Sequence, residues 1–131
     1  MATHPGYAAT PRSSSVSIAT ANTNRDGTGT VGTVFTAGAS GSRVDKVHIC
    51  PAAATTAGMV RLYIYNGSAY FLLKELPILA VTPSGSVAVL PITLTSGNDL
   101  EMPVMLPSGW SLRASTHNAE TFHVTAEGGD F

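Results

Sequence analysis

The chain has 131 residues, with seven Lys plus Arg against eight Asp plus Glu, a net charge of −1 and one cysteine. That length suits one domain with a single core. The balanced charge excludes binding to nucleic acid by phosphate neutralisation, and one cysteine excludes an intrachain disulfide framework. No apolar run approaches the ~20 residues that span a bilayer, and the N-terminus lacks a signal-peptide hydrophobic region, so no membrane role is expected. Charged residues make up only 11% of the chain, against about 25% in an average soluble domain. A surface so sparsely charged suits a subunit covered by copies of itself or by a larger assembly. A merely Thr/Ser-rich monomer is the plainer reading.

Residues 1–29 have no sustained apolar periodicity. Pro5, Gly6, Pro11 and the Ser13–Ser15 run discourage helix, although Val16 and Ile18 could seed a short strand. This stretch is expected to be an extended N-terminal arm that orders along a neighbour, with the β domain over 30–131. Asn24-Arg25-Asp26-Gly27 reads as a turn; it lacks the alternating acids and closing Glu of a calcium loop. Thr30 to Ala37 is rich in β-branched residues and reads as the first body strand. Arg43 to Cys50 follows, with a phase shift between Val44 and Val47 that predicts a bulge near Asp45-Lys46. Pro51 ends that strand, because it has no N–H to donate. Cys50, inside the apolar run, is expected to be a buried thiol.

Met59 to Leu76 is the clearest unit. Val60, Leu62 and Ile64 alternate with Arg61, Tyr63 and Tyr65, which predicts a strand with one aliphatic face and one aromatic, cationic face. Asn66-Gly67 suits a type I′ turn, and Ala69 to Leu76 resumes as the partner strand of a β-hairpin. Pro83-Ser84-Gly85 is a turn, and Ser86 to Leu94 is an edge or bent strand interrupted at Pro91. Ser96-Gly97-Asn98-Asp99 reads as a further turn, and Leu100 to Leu106, carrying Pro103, as an edge or connection. Trp110 to Ser115 and Thr121 to Glu127 both alternate apolar with polar residues. Seven to eight short runs without an amphipathic helix predict an all-β fold: a jelly-roll-like β-sandwich of about eight strands, with an immunoglobulin-like sandwich as the alternative.

A search for chemistry comes back empty. His4, His48, His117 and His123 have neither the spacing of HExxH nor an accompanying CxxC, although His48 and His123 lie on strands that a fold could bring together. There is no GxSxG elbow, and Asp99, Glu101, Glu120 and Glu127 read as surface acids. Tyr63, Tyr65 and Tyr70 could form a sugar-stacking patch, but cross-strand pairs that stabilise the sheet, or a protein interface, are commoner uses. No catalytic residue, cofactor or metal ligand is assigned, and the chain is expected not to be an enzyme.

From about Ala21 to Phe131, the segments ATANTNRDGTGT, TAGASGSRVDKVHI, TTAGMVRLYIYNG, LLKELPI, VTPSGSV, LPSGWSLRAST and AETFHVTAEGGDF together resemble a family of small virion structural proteins of tailed bacteriophages. The resemblance implies a β-sandwich subunit without catalytic residues. Its implied role is decoration or cement on the capsid exterior, as a homotrimer bound to the major capsid protein and made in the bacterial host cytoplasm. A tail, neck or fibre component, or a carbohydrate-binding module using the tyrosine-bearing face, are the alternatives. The expected interface residues are Tyr7, Arg12, Val16, Ile18 and Arg25 of the arm and Tyr63 and Tyr65 of the hairpin, with residues 1–29 supplying much of the attachment.

Overall fold

The computed structural model describes residues 8–95 and 103–131. Nine strands account for most of them: β1 (Thr10–Ile18), β2 (Gly32–Thr36), β3 (Ser42–Pro51), β4 (Gly58–Tyr65), β5 (Tyr70–Ile78), β6 (Ile92–Thr95), β7 (Val104–Leu106), β8 (Ser111–Thr116) and β9 (Phe122–Asp130). They form two antiparallel sheets, one in the order β1-β9-β3-β6 with β7 also on β3, the other in the order β2-β8-β4-β5. β6 and β7 pair with successive parts of the same strand, β6 with Lys46–Ile49 and β7 with Ser42–Val44. Together they act as one interrupted strand, which leaves eight in all. Of the consecutive strands, only β4 and β5 are hydrogen-bonded neighbours. That is the interleaved order of a jelly roll and not of an immunoglobulin sandwich, where several consecutive strands pair within one sheet.

Inward-facing residues of both sheets make one core, including Phe35, Val44, Val47, Ile49, Val60, Leu62, Leu112, Phe122 and Val124. Each face follows from the two-residue period of its strand, with three bulges that adjust it. Val34 is the extra residue between Thr33 and Phe35 opposite β8, and this lets Val34 and Phe35 both turn inward. The expected bulge on β3 falls at Asp45, between Val44 and Lys46. The third sets Leu73 opposite the Leu62/Tyr63 step, and Leu73 packs on the core. The hairpin is present, but its connection differs from a type I′ turn. Only Gly67 has a positive φ, and the Asn66 side chain accepts from the amides of Ser68 and Ala69. Four residues, not two, link Tyr65 to Tyr70 because the asparagine side chain itself closes the loop. The expected turn at Ser96–Asp99 lies outside the described residues.

The division at residue 29 needs correction. Thr10–Ile18 pairs with Asp130–Phe122 over its whole length, so this stretch is a strand of the body and not an arm. Ile18 is in the core and Val16 packs against it. Alternation of Arg12, Ser14, Val16 and Ile18 with exposed Pro11, Ser13, Ser15 and Ser17 marks the strand; serine-rich composition hides it. β1 also closes one side of the sandwich against β2. The Arg12 guanidinium lies 4.0 Å over the Phe35 ring, donates to the Thr36 carbonyl and pairs with Asp130 at 3.2 Å.

β9 is held between β1 and β3 so tightly that Gly128 has no room for a side chain. A Cβ there would stand 1.8 Å from the Arg43 carbonyl oxygen, a backbone atom of the bulged strand. Gly128→Ala is expected to destabilise the fold by about 3 kcal/mol or more in urea denaturation. Gly85→Ala, where a Cβ meets nothing within 4 Å, is expected to stay within about 0.5 kcal/mol of the native chain.

Candidate interaction surfaces

Between β1 and β2 the chain leaves one sheet, crosses the outer face of the other and returns to it as β2. Its entry is fixed by Ala21, which bridges to Thr116, and by the Asn22 amide donating to the Thr116 carbonyl at 2.8 Å. The buried Asn22 side chain donates to the carbonyls of Thr28 and Thr30 and accepts from the Asn24 amide. It therefore ties both ends of the loop with one amide group. Gly27, at φ +87°, lies on the Tyr70 ring, where a Cβ would come within 2.2 Å. The expected Asn24–Gly27 turn is present, with Asp26 accepting from the Thr28 amide and hydroxyl.

This strap covers the aromatic, cationic face of β4. Arg61 is fully buried; its Nε donates to Glu75 Oε2 at 3.1 Å, its Nη1 to the Asn22 carbonyl at 2.9 Å, and its Nη2 to His117 Nδ1 at 3.1 Å. A guanidinium can only donate, so His117 accepts through Nδ1. Tyr63 is likewise fully buried, and its hydroxyl donates to the Asn24 carbonyl at 2.9 Å. Arg25 reaches from the strap to both Glu75 oxygens at 2.9 and 3.0 Å. These hydrogen bonds from Arg25, with the charges of Arg25 and Arg61, hold the Glu75 carboxyl below its ordinary value of 4.5.

The expected interface is thus largely internal. Tyr63 and Ile18 are interior residues, Val16 and Arg12 are packed within the chain, and exposed Arg25 is engaged with Glu75. The alternation read on β4 is correct, but its polar face is covered by the chain's own residues 22–28 and not by a partner. Tyr7 lies outside the described residues. Tyr65 is half-buried; the Arg113 guanidinium lies 4.2 Å from its ring centre and donates to the Tyr70 hydroxyl. A sugar stacking there would have to displace that cation.

The outer face of the other sheet is polar across β1, β9, the C-terminal half of β3 and β6, and carries exposed Met105 beside Arg43 at its β7 end. Reading across the strands, one row is Ser13, Glu127, Lys46 and Thr95, and the next is Ser15, Thr125, His48 and Thr93. Ser15 and Thr125 hydroxyls are 2.8 Å apart, and His48 contacts Thr93 and Glu127 at 3.3 Å each. His123 stands opposite Cys50 in the following row. Cys50 is half-exposed on this face, not a core thiol, because the bulge at Asp45 sets Val47 and Ile49 inward and so turns Cys50 out. Among the described residues no three His, Cys, Asp or Glu side chains are grouped to hold a metal ion.

The third surface is the side of the sandwich opposite β1 and β2, between β5 and β6. A cleft of ≈ 250 Å³ opens there, walled by Pro51, Thr55, Pro77, Ile78, Pro91 and Ile92. Leu79 and Leu90 stand on its rim at 69% and 51% exposure, and Val87 projects nearby in sequence at 47%. Sequence reading missed this cleft, although the signal is present: no charged residue occurs between Glu75 and Asp99. No protein-family model, curated protein or solved structure matches the chain.

The strap network makes stability depend on pH in a defined direction. Glu75 titrates below its ordinary value in the fold, so its contribution is complete above about pH 4.5 and is lost as pH falls through the lowered value. Glu75→Gln is expected to lower the melting temperature at pH 7 and to flatten its decline below pH 4.5. Arg61→Ala is expected to destabilise by about 3–5 kcal/mol and to accelerate amide exchange in residues 22–28.

Proposed function

We propose that the chain is a non-enzymatic virion structural protein of a tailed bacteriophage, of the decoration or cement kind. In this reading, copies associate as a homotrimer, bind the outside of the head and bridge neighbouring major capsid protein subunits. The observation that carries it is the uneven surface of the jelly roll. One face carries rows of hydroxyl and other polar side chains suited to water, whereas one side exposes Leu79 and Leu90 at an apolar cleft, with Val87 exposed on the same connection. Phe71, Leu72, Met105 and Phe131 are exposed elsewhere, but exposed apolar side chains at the mouth of an apolar hollow are what marks an interaction site. The resemblance of the chain's ordered segments to small phage virion proteins supplies the setting. Jelly rolls also build viral capsid domains, though a fold shared by lectins and cupins supports the role only by analogy.

A tail, neck or fibre subunit shares the same support and differs in copy number. The carbohydrate-binding reading is weakened, because Tyr63 is buried and Arg113 lies against Tyr65. Attachment is no longer assigned to an arm, since β1 belongs to the body. The test is cosedimentation of purified protein with expanded capsids of its phage that lack it. The expected outcome is saturable binding in hundreds of copies per head. Absence of binding, with the protein found at low copy in tail fractions, would overturn the decoration role.

A further inference from the structure

The apolar cleft lies between two parts of the chain that share one property. Its walls come from the segment between His48 and Arg61 and from the segment between Glu75 and Asp99, and neither contains a charged residue. This absence is local. Elsewhere the surface carries the ion pairs Arg12–Asp130 and Arg43–Asp45, the strap carries Arg25–Glu75, and Glu120 lies just beyond the wall, accepting from the Thr56 amide and hydroxyl. When copies of one chain meet, every charge on the contact risks facing a like charge, which costs several kcal/mol when juxtaposed. Walls built from segments without a charged residue are therefore, among the described residues, the part of this molecule on which self-association is least opposed. A different partner selected by electrostatic complementarity would leave charges at the rim.

The same segment provides both a hollow and side chains to fill one. A cavity of about 150 Å³ accepts a benzene-sized group, so a cleft of ≈ 250 Å³ has room for an aliphatic side chain. Val87 is presented by a closed turn: the Ser84 amide donates to the Val87 carbonyl at 2.9 Å, and Ser84 Oγ accepts from the Ser86 and Val87 amides. Leu79 is held beside the cleft by the Thr55–Val81 bridge and by the Thr55 hydroxyl donating to its carbonyl at 2.7 Å. A half-exposed valine on a fixed turn and an exposed leucine on a fixed rim lose little further freedom on contact.

The edge of β5 is less suited to this purpose. The bulge at Leu73, with Lys74 and Pro77 beyond it, interrupts the regular hydrogen-bonding edge that another strand would need. Self-association through side chains on the charge-free side does not need that edge.

We infer that the charge-free side formed by residues 77–92 is the contact between copies of this chain, with Val87 or Leu79 of one copy entering the cleft of the next. The inference names the self-contact of the proposed subunit and rests on that reading only for its biological setting. Sedimentation velocity of the purified chain, without capsids, over a concentration series tests it directly. The expected result is a species of several times 13.5 kDa. Val87→Asp and Leu90→Asp should each weaken association at least about tenfold, while Ser15→Asp on the far face should not. Circular dichroism and melting confirm folding, and Val87→Asp, outside the cleft wall, remains decisive if Leu90→Asp unfolds. A wild-type chain that stays at 13.5 kDa, or a folded Val87→Asp that assembles like wild type, overturns the inference. A monomer that still coats capsids would overturn it while leaving the virion role standing. Assembly that does not bind capsids would do the reverse.

Discussion

A guanidinium with no access to water must find partners inside the protein, or the fold that buries it fails. Arg61 finds three kinds, a carboxylate, a main-chain carbonyl and an imidazole nitrogen, and each comes from a different part of the chain. Glu75 comes from the neighbouring strand, His117 from the end of β8, and Asn22 from the strap. The strap must therefore be in place before the middle of the second sheet is electrostatically sound. Asn22 then holds the loop closed, and Gly27 permits its contact with Tyr70. The outer face of that sheet behaves as a second, polar core. Its order comes from hydrogen bonds, whereas that of the inner core comes from apolar packing.

The two sides of the sandwich are finished differently. On one side β1 meets β2, with Arg12 spanning the junction from Asp130 to Phe35 and Thr36. On the other, β5 and β6 do not meet in this way. The gap is crossed by a long apolar connection held at Thr55–Val81 and Ser84–Val87, which leaves the cleft open. The bulge in β5 limits strand addition at that margin, so the exposed apolar side chains can serve recognition without offering a regular edge. The polar rows across β1, β9, β3 and β6 are suited to solvent. The molecule thus has a directional surface although its net charge is nearly zero.

Much of the architecture was legible because the strand pattern is locally determined. Alternation in Val60–Tyr65 identifies β4, the slip between Val44 and Val47 identifies the β3 bulge, and the lack of helical periodicity identifies the class. The failures arose where local composition misrepresents tertiary context. Thr10–Ile18 looks like a tail because serines occupy its outward positions, yet its inward positions find β9 more than a hundred residues away. Tyr63 reads as exposed because a strand's two-residue period says which residues share a face, not what covers it. The true cover, Asn22 to Thr28, has no apolar pattern and binds through main-chain carbonyls that any sequence possesses. The cleft was equally hidden, since its walls come from distant turns joined only by the fold.

The pairing of β1 with β9 also sets an order of events during synthesis. The second residue pair of that ladder joins Pro11 to Gly129, and Arg12 reaches Asp130 across 118 positions. β3, which forms the other flank of β9, waits for the same late segment. On a ribosome, the first strand therefore emerges long before the strand that covers its edge exists. Its serine-rich outward face keeps that waiting edge soluble, where a more apolar β1 would invite pairing with other nascent chains. Sheet completion waits for the synthesis of β9, and closure between segments so distant in sequence makes it a slow, non-local step.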